Sequence, residues 1–249
     1  TGKLVTVGGL SVVSAVDGSA PVYGYNPVVA PASASIGSIG SATISAITGI
    51  TAANKVYDST QVATLTTTGA SFTGMAIGDT LTVTGATGLF DTKDVGTGKT
   101  VNISGLVLAG ADSANYTLTN STATTTANIT PASISAITGI SAANKVYDGT
   151  TTATLTTSGA AFTGRLGSDV LTVATAVGNF SDKNVANPKT VNVTGLSLGG
   201  ADAGNYTLAS TTATTAAAIT PATISAVGGL TASKVYDGST GATAVTTGA

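Results

Sequence analysis

Acidic residues recur at matching positions along this chain, and their side chains are the best suited to hold a metal ion. Three pairs are separated by the same interval: Asp58 and Asp148, Asp79 and Asp169, and Asp112 and Asp202. Carboxylates that converge on one point bind calcium, and Asp91 and Asp94 are the closest pair in sequence. Their counterparts are Ser181 and Asn184, and the spacing is not that of an EF-hand loop. Asp91 and Asp94 are therefore calcium candidates, although we favour turn formation for these aspartates.

A Lys-Val-Tyr-Asp motif occurs three times and is either a recognition loop or a structural turn. It ends at Tyr57 and Asp58, at Tyr147 and Asp148, and at Tyr236 and Asp237. An exposed Tyr beside Lys55 or Lys145 would anchor a ligand, whereas a Tyr packed into the end of a domain, followed by an Asp-Gly turn, would be structural. We favour the structural role. Tyr116 and Tyr206 are also predicted to be structural, with a buried ring and a hydroxyl bonded to backbone, as in a tyrosine corner.

Catalytic chemistry has little support in the sequence. The chain has no His and no Cys, which removes the commonest general base and all thiol nucleophiles. No Ser lies in a nucleophile-elbow or Ser-x-x-Lys context. The Gly-Thr-Gly-Lys-Thr run at 96–100 lacks the upstream Gly and the following helix of a phosphate loop. We predict no enzyme activity and no cofactor other than the calcium alternative.

The composition indicates that strands position these residues. The 249 residues include 49 Thr and 32 Gly, and only 8% are charged. Thr and Val are β-branched and suit a pleated surface, whereas Glu, Gln, Met and Arg, which favour helices, are scarce. The net charge of −2 gives no basic surface for nucleic acid, and Thr, Ser, Gly and Asn interrupt every apolar run before it could span a membrane. We therefore expect an all-β fold, no nucleic-acid partner and no transmembrane segment.

The chain is built from a repeated unit. Residues 41–130 align without gaps onto 131–220 with 56 identities in 90 positions. A further copy begins at 221 and runs to 249, and residues 1–40 are predicted to be the C-terminal part of a preceding, diverged copy. This period is longer than that of a solenoid and matches a sandwich domain of about 100 residues. With no initiator Met, the chain is expected to be internal to a longer protein.

Alternation of apolar and polar residues predicts where the strands lie. It is clearest at 80–84, 100–104, 115–118 and 190–194, where Leu, Val, Ile and Tyr alternate with Thr, Asn and Ser. Gly, Asp and Asn between these runs are typical of turns, so we expect about seven short strands in each copy. The predicted fold is all-β, with tandem Ig-like β-sandwich domains in an elongated array.

Short motifs follow one another in the same order in both full copies. In the second copy they are Lys-Val-Tyr-Asp-Gly-Thr at 145–150, Asp-Lys-Asn-Val at 182–185, Lys-Thr-Val-Asn-Val at 189–193, Asn-Tyr-Thr-Leu at 205–208 and Ile-Thr-Pro-Ala at 219–222. This succession resembles the YDG-type repeat of large secreted bacterial adhesins, which include filamentous-haemagglutinin-like exoproteins. The first copy departs from it, because Ser59 follows Asp58. The resemblance implies export to or beyond a Gram-negative cell surface and a spacer role, without a ligand or catalytic residues.

The predicted function is that of a non-catalytic stalk or spacer region in a large secreted surface protein. Each copy is expected to contact its neighbours in the same chain, and Pro131 and Pro221 restrict the linkers, which makes the array semi-rigid. One alternative is a segment of an extracellular filament or sheath, in which copies associate through exposed strand edges. A second is a module that binds a glycan or a host protein through its loops.

Overall fold

The fold is described from a computed structural model. It describes residues 39–245 with their side chains and, before them, the backbone of four strands, β1 (Lys3–Val7), β2 (Val16–Asp17), β3 (Ala20–Pro21) and β4 (Ala32–Gly37). Strand β1 pairs antiparallel with β4, and β2 pairs antiparallel with β3. Much of the predicted partial copy at 1–40 and the last four residues, 246–249, lie outside the described residues.

The described chain is nearly all β, as its composition predicted. Its helical segments are two single 3₁₀ turns, Ser113–Asn115 and Ala203–Asn205. Each turn comes directly before the Tyr-Thr-Leu strand of its copy, and each has an Asp at its N-terminal end. Within the described residues, neither the length nor the apolar character of any helix is sufficient to cross a bilayer.

The first full copy contains thirteen strands in its described residues. They are β5 (Ala42–Ile44), β6 (Ala46–Thr48), β7 (Thr51–Ala52), β8 (Lys55–Val56), β9 (Val62–Ala63), β10 (Leu65–Thr66), β11 (Ser71–Thr73), β12 (Thr82–Thr84), β13 (Thr87–Phe90), β14 (Gly96–Ser104), β15 (Val107–Ala109), β16 (Tyr116–Leu118) and β17 (Ala123–Thr130).

The second copy contains eleven strands, and two more follow it. They are β18 (Ala132–Ile134), β19 (Ala136–Thr138), β20 (Ser141–Ala142), β21 (Lys145–Val146), β22 (Thr152–Ala153), β23 (Leu155–Thr156), β24 (Ala161–Thr163), β25 (Thr172–Phe180), β26 (Ala186–Gly199), β27 (Tyr206–Leu208), β28 (Ala213–Thr220), β29 (Thr231–Ala232) and β30 (Ala244–Val245).

The largest sheet of the second copy has the strand order β21-β28-β26-β25-β22. Strand β21 runs parallel to β28, and the other pairings are antiparallel. Along β26, inward and outward residues alternate, so that Val191 and Val193 are completely buried while Asn192 is exposed. Phe180 pairs across the sheet with Val191. The core of this sheet is a cluster of five buried apolar residues: Ala153, Phe180, Val191, Ala217 and Ile219.

The first copy has the same arrangement, with the strand order β8-β17-β14-β13-β9. Phe90 pairs with Val101 as Phe180 pairs with Val191. The alternation predicted at 100–104 is present in β14, where Val101 and Ile103 are buried and Asn102 is exposed. The two copies therefore bury the same apolar side chains in this sheet.

The strands are more numerous than the alternation predicted, because the first third of each copy is divided into two- and three-residue strands. Gly139 ends β19 with a φ of 75°, and Gly49 ends β6 with the same angle. A Cβ on Gly139 would collide with the carbonyl oxygen of Gly159, so only glycine allows these two backbone segments to approach each other. Such short pairs leave no apolar/polar alternation to detect.

Contacts between Cα atoms divide the chain into two compact units. The first comprises Thr1–Ala53, Val62–Asp91 and Gly98–Ala127. The second comprises Asn128–Ala249 together with two loops of the first copy, Asn54–Gln61 and Thr92–Thr97. These two loops therefore belong to the same compact unit as the whole second copy.

Candidate functional site

The Lys-Val-Tyr-Asp motif forms a turn that its own lysine closes. In the second copy, Lys145 Nζ donates to Asp148 Oδ1 at 2.8 Å and to the Thr150 carbonyl oxygen at 2.8 Å, while the Thr150 amide donates to Asp148 Oδ1 at 2.9 Å. The hydrogen bond from Lys145, followed by that amide, lowers the pKa of Asp148 to about 2. Lys55 with Asp58, and Lys234 with Asp237, repeat the arrangement. These aspartates serve as acceptors within the turn.

One position of this turn needs a left-handed backbone. Gly149 and Gly238 adopt φ values of 81° and 77°, and Ser59 adopts 63° at the corresponding place in the first copy. A left-handed conformation costs an L-residue about 1–2 kcal/mol. The replacement of Gly by Ser in the first copy therefore keeps the turn but strains it.

The tyrosine of the motif lies in a different environment in each copy. Tyr57 is 2% exposed, Tyr147 is 37% exposed and Tyr236 is 91% exposed. The neighbouring sequence is almost the same at all three places, so the local turn does not determine the burial. What buries Tyr57 is contact with the second copy.

Tyr57 contacts Asp169 and Tyr206 of the second copy. Its hydroxyl donates to Asp169 Oδ2 at 2.7 Å, and its ring meets the ring of Tyr206 edge to face, with 5.5 Å between centroids. Asp169 Oδ2 also accepts the hydroxyl of Tyr206 at 2.7 Å. Two tyrosines from different copies thus share one carboxylate oxygen, and Asp169 is only 6% exposed.

A lysine from the other loop of the first copy extends this contact. Lys93 Nζ donates to the Tyr57 hydroxyl at 2.8 Å and to Asp202 Oδ1 at 3.0 Å, and it lies 5.2 Å from the centroid of the Tyr57 ring. Asp94 and Asp169 lie 3.5 and 3.9 Å from the same ammonium group. One lysine therefore holds three carboxylates together. The hydrogen bond to Tyr57, followed by that to Asp202, raises the pKa of Lys93 above its usual value.

Asn205 completes the contact through both ends of its amide. Its Oδ1 accepts the Val95 backbone amide at 2.9 Å, and its Nδ2 donates to Asp94 Oδ1 at 3.0 Å. Asp202 Oδ2 accepts the Val170 amide at 2.8 Å, and this bond, with that from Lys93, lowers the pKa of Asp202. Among the described residues, no buried side-chain polar atom lacks a hydrogen-bond partner. We call this set the junction cluster: Tyr57, Lys93, Asp94, Val95, Asp169, Asp202, Asn205 and Tyr206.

Half of the junction cluster is already built inside a single copy. In the first copy, Tyr116 donates to Asp79 Oδ2 at 2.5 Å and accepts the Ala76 amide at 2.9 Å. Tyr206 has the same two kinds of partner, Asp169 and the Leu166 amide. The hydroxyls predicted to bond only to backbone therefore also bond to an aspartate. Asn115 is exposed, whereas Asn205 is 6% exposed. Asn205 is buried because loop 92–97 of the first copy covers it.

The calcium candidates have protein partners of their own. Asp91 forms an ion pair with Lys99 at 2.9 Å, and Asp94 belongs to the junction cluster. In the second copy, Lys189 occupies the position of Lys99 and pairs with Asp182 at 2.5 Å. The ion pair is therefore kept, although its aspartate lies one position later in the sequence than in the first copy. Across the residues that the structure describes, no three carboxylate, His or Cys side chains are grouped so as to hold a metal ion.

The repeated unit corresponds to a known domain family. The YDG domain matches residues 41–127 and 130–214, which together make up more than half of the chain. The chain belongs to the YDG domain family. Comparisons with curated proteins and with solved structures gave no match. The Tyr57-Asp58 and Tyr147-Asp148 pairs lie within the two YDG domains, so the first of these domains supplies its motif tyrosine to a contact with the second.

Most residues of the junction cluster could be singled out from the sequence, but their grouping could not. Two tyrosines were predicted to be structural, and three aspartates were considered as possible metal ligands or turn residues: Tyr57, Tyr206, Asp94, Asp169 and Asp202. Nothing in the sequence joined them to Lys93 and Asn205, which are more than one hundred residues apart. A signal was present in the repeat itself, because Lys, Val, Asp and Asn recur at matching turn positions in both copies. Repeated polar residues in turns indicate a contact that each copy makes.

We expect Asp169→Ala to destabilise the protein more than the matched change Asp79→Ala. Asp169 accepts hydroxyls from two copies and is buried, so its loss leaves Tyr57 and Tyr206 without an acceptor. Such unsatisfied buried groups cost roughly 1–3 kcal/mol each, whereas the half-buried Asp79 accepts the single hydroxyl of Tyr116. Denaturant unfolding of both variants measures the difference. Equal losses would show that the junction adds nothing to the role of this aspartate.

We also expect the junction to weaken at alkaline pH. Burial, followed by the hydrogen bond to Asp169, raises the pKa of Tyr206 to about 12, compared with about 10 for an unfolded tyrosine. Because the folded pKa is the higher one, this stabilisation is complete below pH ~10 and is lost as the pH rises through 12. Unfolding free energies measured stepwise across this range test it. The Tyr206→Phe variant should lose this pH dependence, and an unchanged profile in that variant would contradict the assignment.

Proposed function

We propose that this chain is a non-catalytic spacer region of a large secreted bacterial surface protein of the adhesin type. The supporting observation is the junction cluster, in which loops 54–61 and 92–97 of one YDG domain are bonded to the next domain through hydrogen bonds, ion pairs and a ring contact. The polar side chains of this contact bond to one another, so they fix the orientation of one domain against the next. None of them is left to bind a substrate.

The chemistry of the cluster favours a structural role over a catalytic one. Lys93 is an ammonium group surrounded by carboxylates, and its raised pKa keeps it protonated and non-nucleophilic. The hydroxyls of Tyr57 and Tyr206 are engaged with Asp169, and burial raises the pKa of both tyrosines. Lys93 therefore stays an ammonium group, and the two tyrosines stay neutral hydroxyls.

The proposal includes an Ig-like β-sandwich for each YDG domain. Its support is the five-stranded sheet, in which three of the four pairings are antiparallel and buried and exposed residues alternate along β26. The tyrosine that closes a loop near the end of each domain, Tyr116 or Tyr206, supports the same architecture. In this interpretation the tandem domains add length, and the junctions limit bending between them.

Export to the outside of a Gram-negative cell is part of the same proposal. Its support is the resemblance of the tandem YDG domains to the repeat regions of large exoproteins.

Distance measurement across the junction tests the spacer function. The chain has no Cys, so Val56→Cys and Thr214→Cys place two spin labels at exposed strand positions of the second compact unit, one from each YDG domain. We expect one narrow distance distribution by pulsed dipolar spectroscopy, and a broad one after the further change Tyr57→Ala. A broad distribution in the otherwise unchanged chain would overturn the spacer proposal. Specific binding on a glycan array would favour the recognition alternative.

A further inference from the structure

The second YDG domain exposes the residues that the first domain uses in the junction. Tyr147, Lys183, Asn184 and Val185 occupy the positions of Tyr57, Lys93, Asp94 and Val95, and we call them the tail surface. Tyr147 is 37% exposed and Val185 is 48% exposed, and Lys183 and Asn184 are exposed as well. The turn below Tyr147 is already closed by Lys145 and Asp148. The turn that carries Tyr147 is therefore preformed, and the tail surface is accessible in the part of the chain that the structure describes.

The first YDG domain carries the complementary set, in which Asn115 is exposed, the two aspartates are half-buried and the tyrosine is 8% exposed. Asp79, Asp112, Asn115 and Tyr116 occupy the positions of Asp169, Asp202, Asn205 and Tyr206, and we call them the head surface. Tyr116 already donates to Asp79, and Asp112 already accepts the Thr80 amide at 2.8 Å, as their counterparts do in the junction. Asn115 is exposed, and apolar Met75 and Ile77 close to Asp79 are exposed too.

We propose that the tail surface of one chain binds the head surface of a second copy of this chain. The contact repeats the junction, with Tyr147 donating to Asp79 and Lys183 pairing with Asp112. Asn184 stands where Asp94 stands, and an amide can replace the carboxylate as the acceptor for Asn115. The ammonium of Lys183 meets the two carboxylates of the head surface, so the charges are complementary. The proposal rests on the junction geometry and is independent of secretion or adhesion.

The symmetry of this contact determines what it builds. Head and tail are different surfaces, so the interface is heterologous, and a contact that does not close into a ring adds chains in an open row. Within one chain the covalent linker supplies an effective concentration in the millimolar range. Because the junction forms at that effective concentration, the same contact between separate chains is expected to have a Kd no higher than about 1 mM.

Sedimentation of the full chain, alone and in mixtures, tests the proposal. Tyr147→Ala removes the anchor of the tail surface. Asn115→Arg places a bulky cation on the head surface, at the position that meets Asn184 in the proposed contact. Both residues are exposed, so thermal unfolding of each variant should match that of the unchanged chain. We expect the average mass of the unchanged chain to rise beyond two chains with concentration. Each variant alone should stay a single chain, and an equal mixture of the two should stop at two chains.

The mixture distinguishes this contact from other modes of association. The Tyr147→Ala chain keeps its head surface and the Asn115→Arg chain keeps its tail surface, so they can form one interface and no more. A single-chain mass for the unchanged protein at ~1 mM would overturn the proposal while leaving the spacer function intact. Association of both variants to the same extent as the unchanged chain would also overturn it and would indicate lateral pairing of strand edges.

Discussion

Tyr57→Ala is expected to lower the free energy of unfolding by about 3–5 kcal/mol, the range found for removing a buried aromatic ring. The ring of Tyr57 is 2% exposed and packs edge to face on Tyr206, and its hydroxyl joins Lys93 to Asp169. The variant loses the packing and leaves a cavity, and it also removes one of the two hydroxyls that Asp169 accepts. Denaturant unfolding followed by circular dichroism measures the loss.

The matched control is Tyr147→Ala, the same residue of the same motif in the second copy. Tyr147 is 37% exposed, so its removal exposes less buried surface and the change should cost less than about 1 kcal/mol. Its sequence surroundings are nearly those of Tyr57, so differences in turn propensity cancel. Similar losses in the two variants would mean that the motif tyrosine acts only on its own turn.

Phe180→Ala is expected to cost a comparable amount, about 3–5 kcal/mol, for a different reason. Phe180 is 2% exposed and lies in the apolar cluster with Ala153, Val191 and Ile219. The other four members of that cluster are small or β-branched residues, so they cannot move into the space that the ring leaves. The same unfolding measurement detects the loss.

Val177→Ala on the same strand, β25, is the control for Phe180→Ala. Val177 is 56% exposed and should change the stability by no more than about 0.5 kcal/mol. If Phe180→Ala also had so small an effect, the second copy would not be held by the core cluster. A core defined by alternating residues would then be the wrong description of the YDG fold.

The features that follow from local sequence could be predicted. The excess of Thr and Val and the lack of helix formers predicted a nearly all-β chain, and the alternation at 190–194 gave the inward residues Val191 and Val193 correctly. The two matched stretches, 41–127 and 130–214, agree with the resemblance drawn from short motifs. These features depend on neighbouring residues, and a single sequence contains that information.

The junction could not be predicted, because identical local sequences lie in different environments. Tyr57 and Tyr147 share their motif and their turn, yet one is buried and the other is exposed. The difference comes from Asp169 and Tyr206, which are more than one hundred residues from Tyr57. The short strands at the start of each copy were missed for another reason, since their pairing depends on close glycine contacts such as Gly139 with Gly159.

A double-mutant cycle between Tyr57→Phe and Asp169→Asn tests most directly whether the motif tyrosine of one YDG domain is bonded to the next domain. Because the two side chains share a hydrogen bond of 2.7 Å, the cycle should give an interaction free energy of at least about 0.5–1 kcal/mol. The parallel cycle between Tyr147→Phe and Asp169→Asn should give additive effects. The two tyrosine hydroxyls that the Asp169 carboxylate accepts are those of Tyr57 and Tyr206. Additive effects in the Tyr57 cycle would contradict the junction.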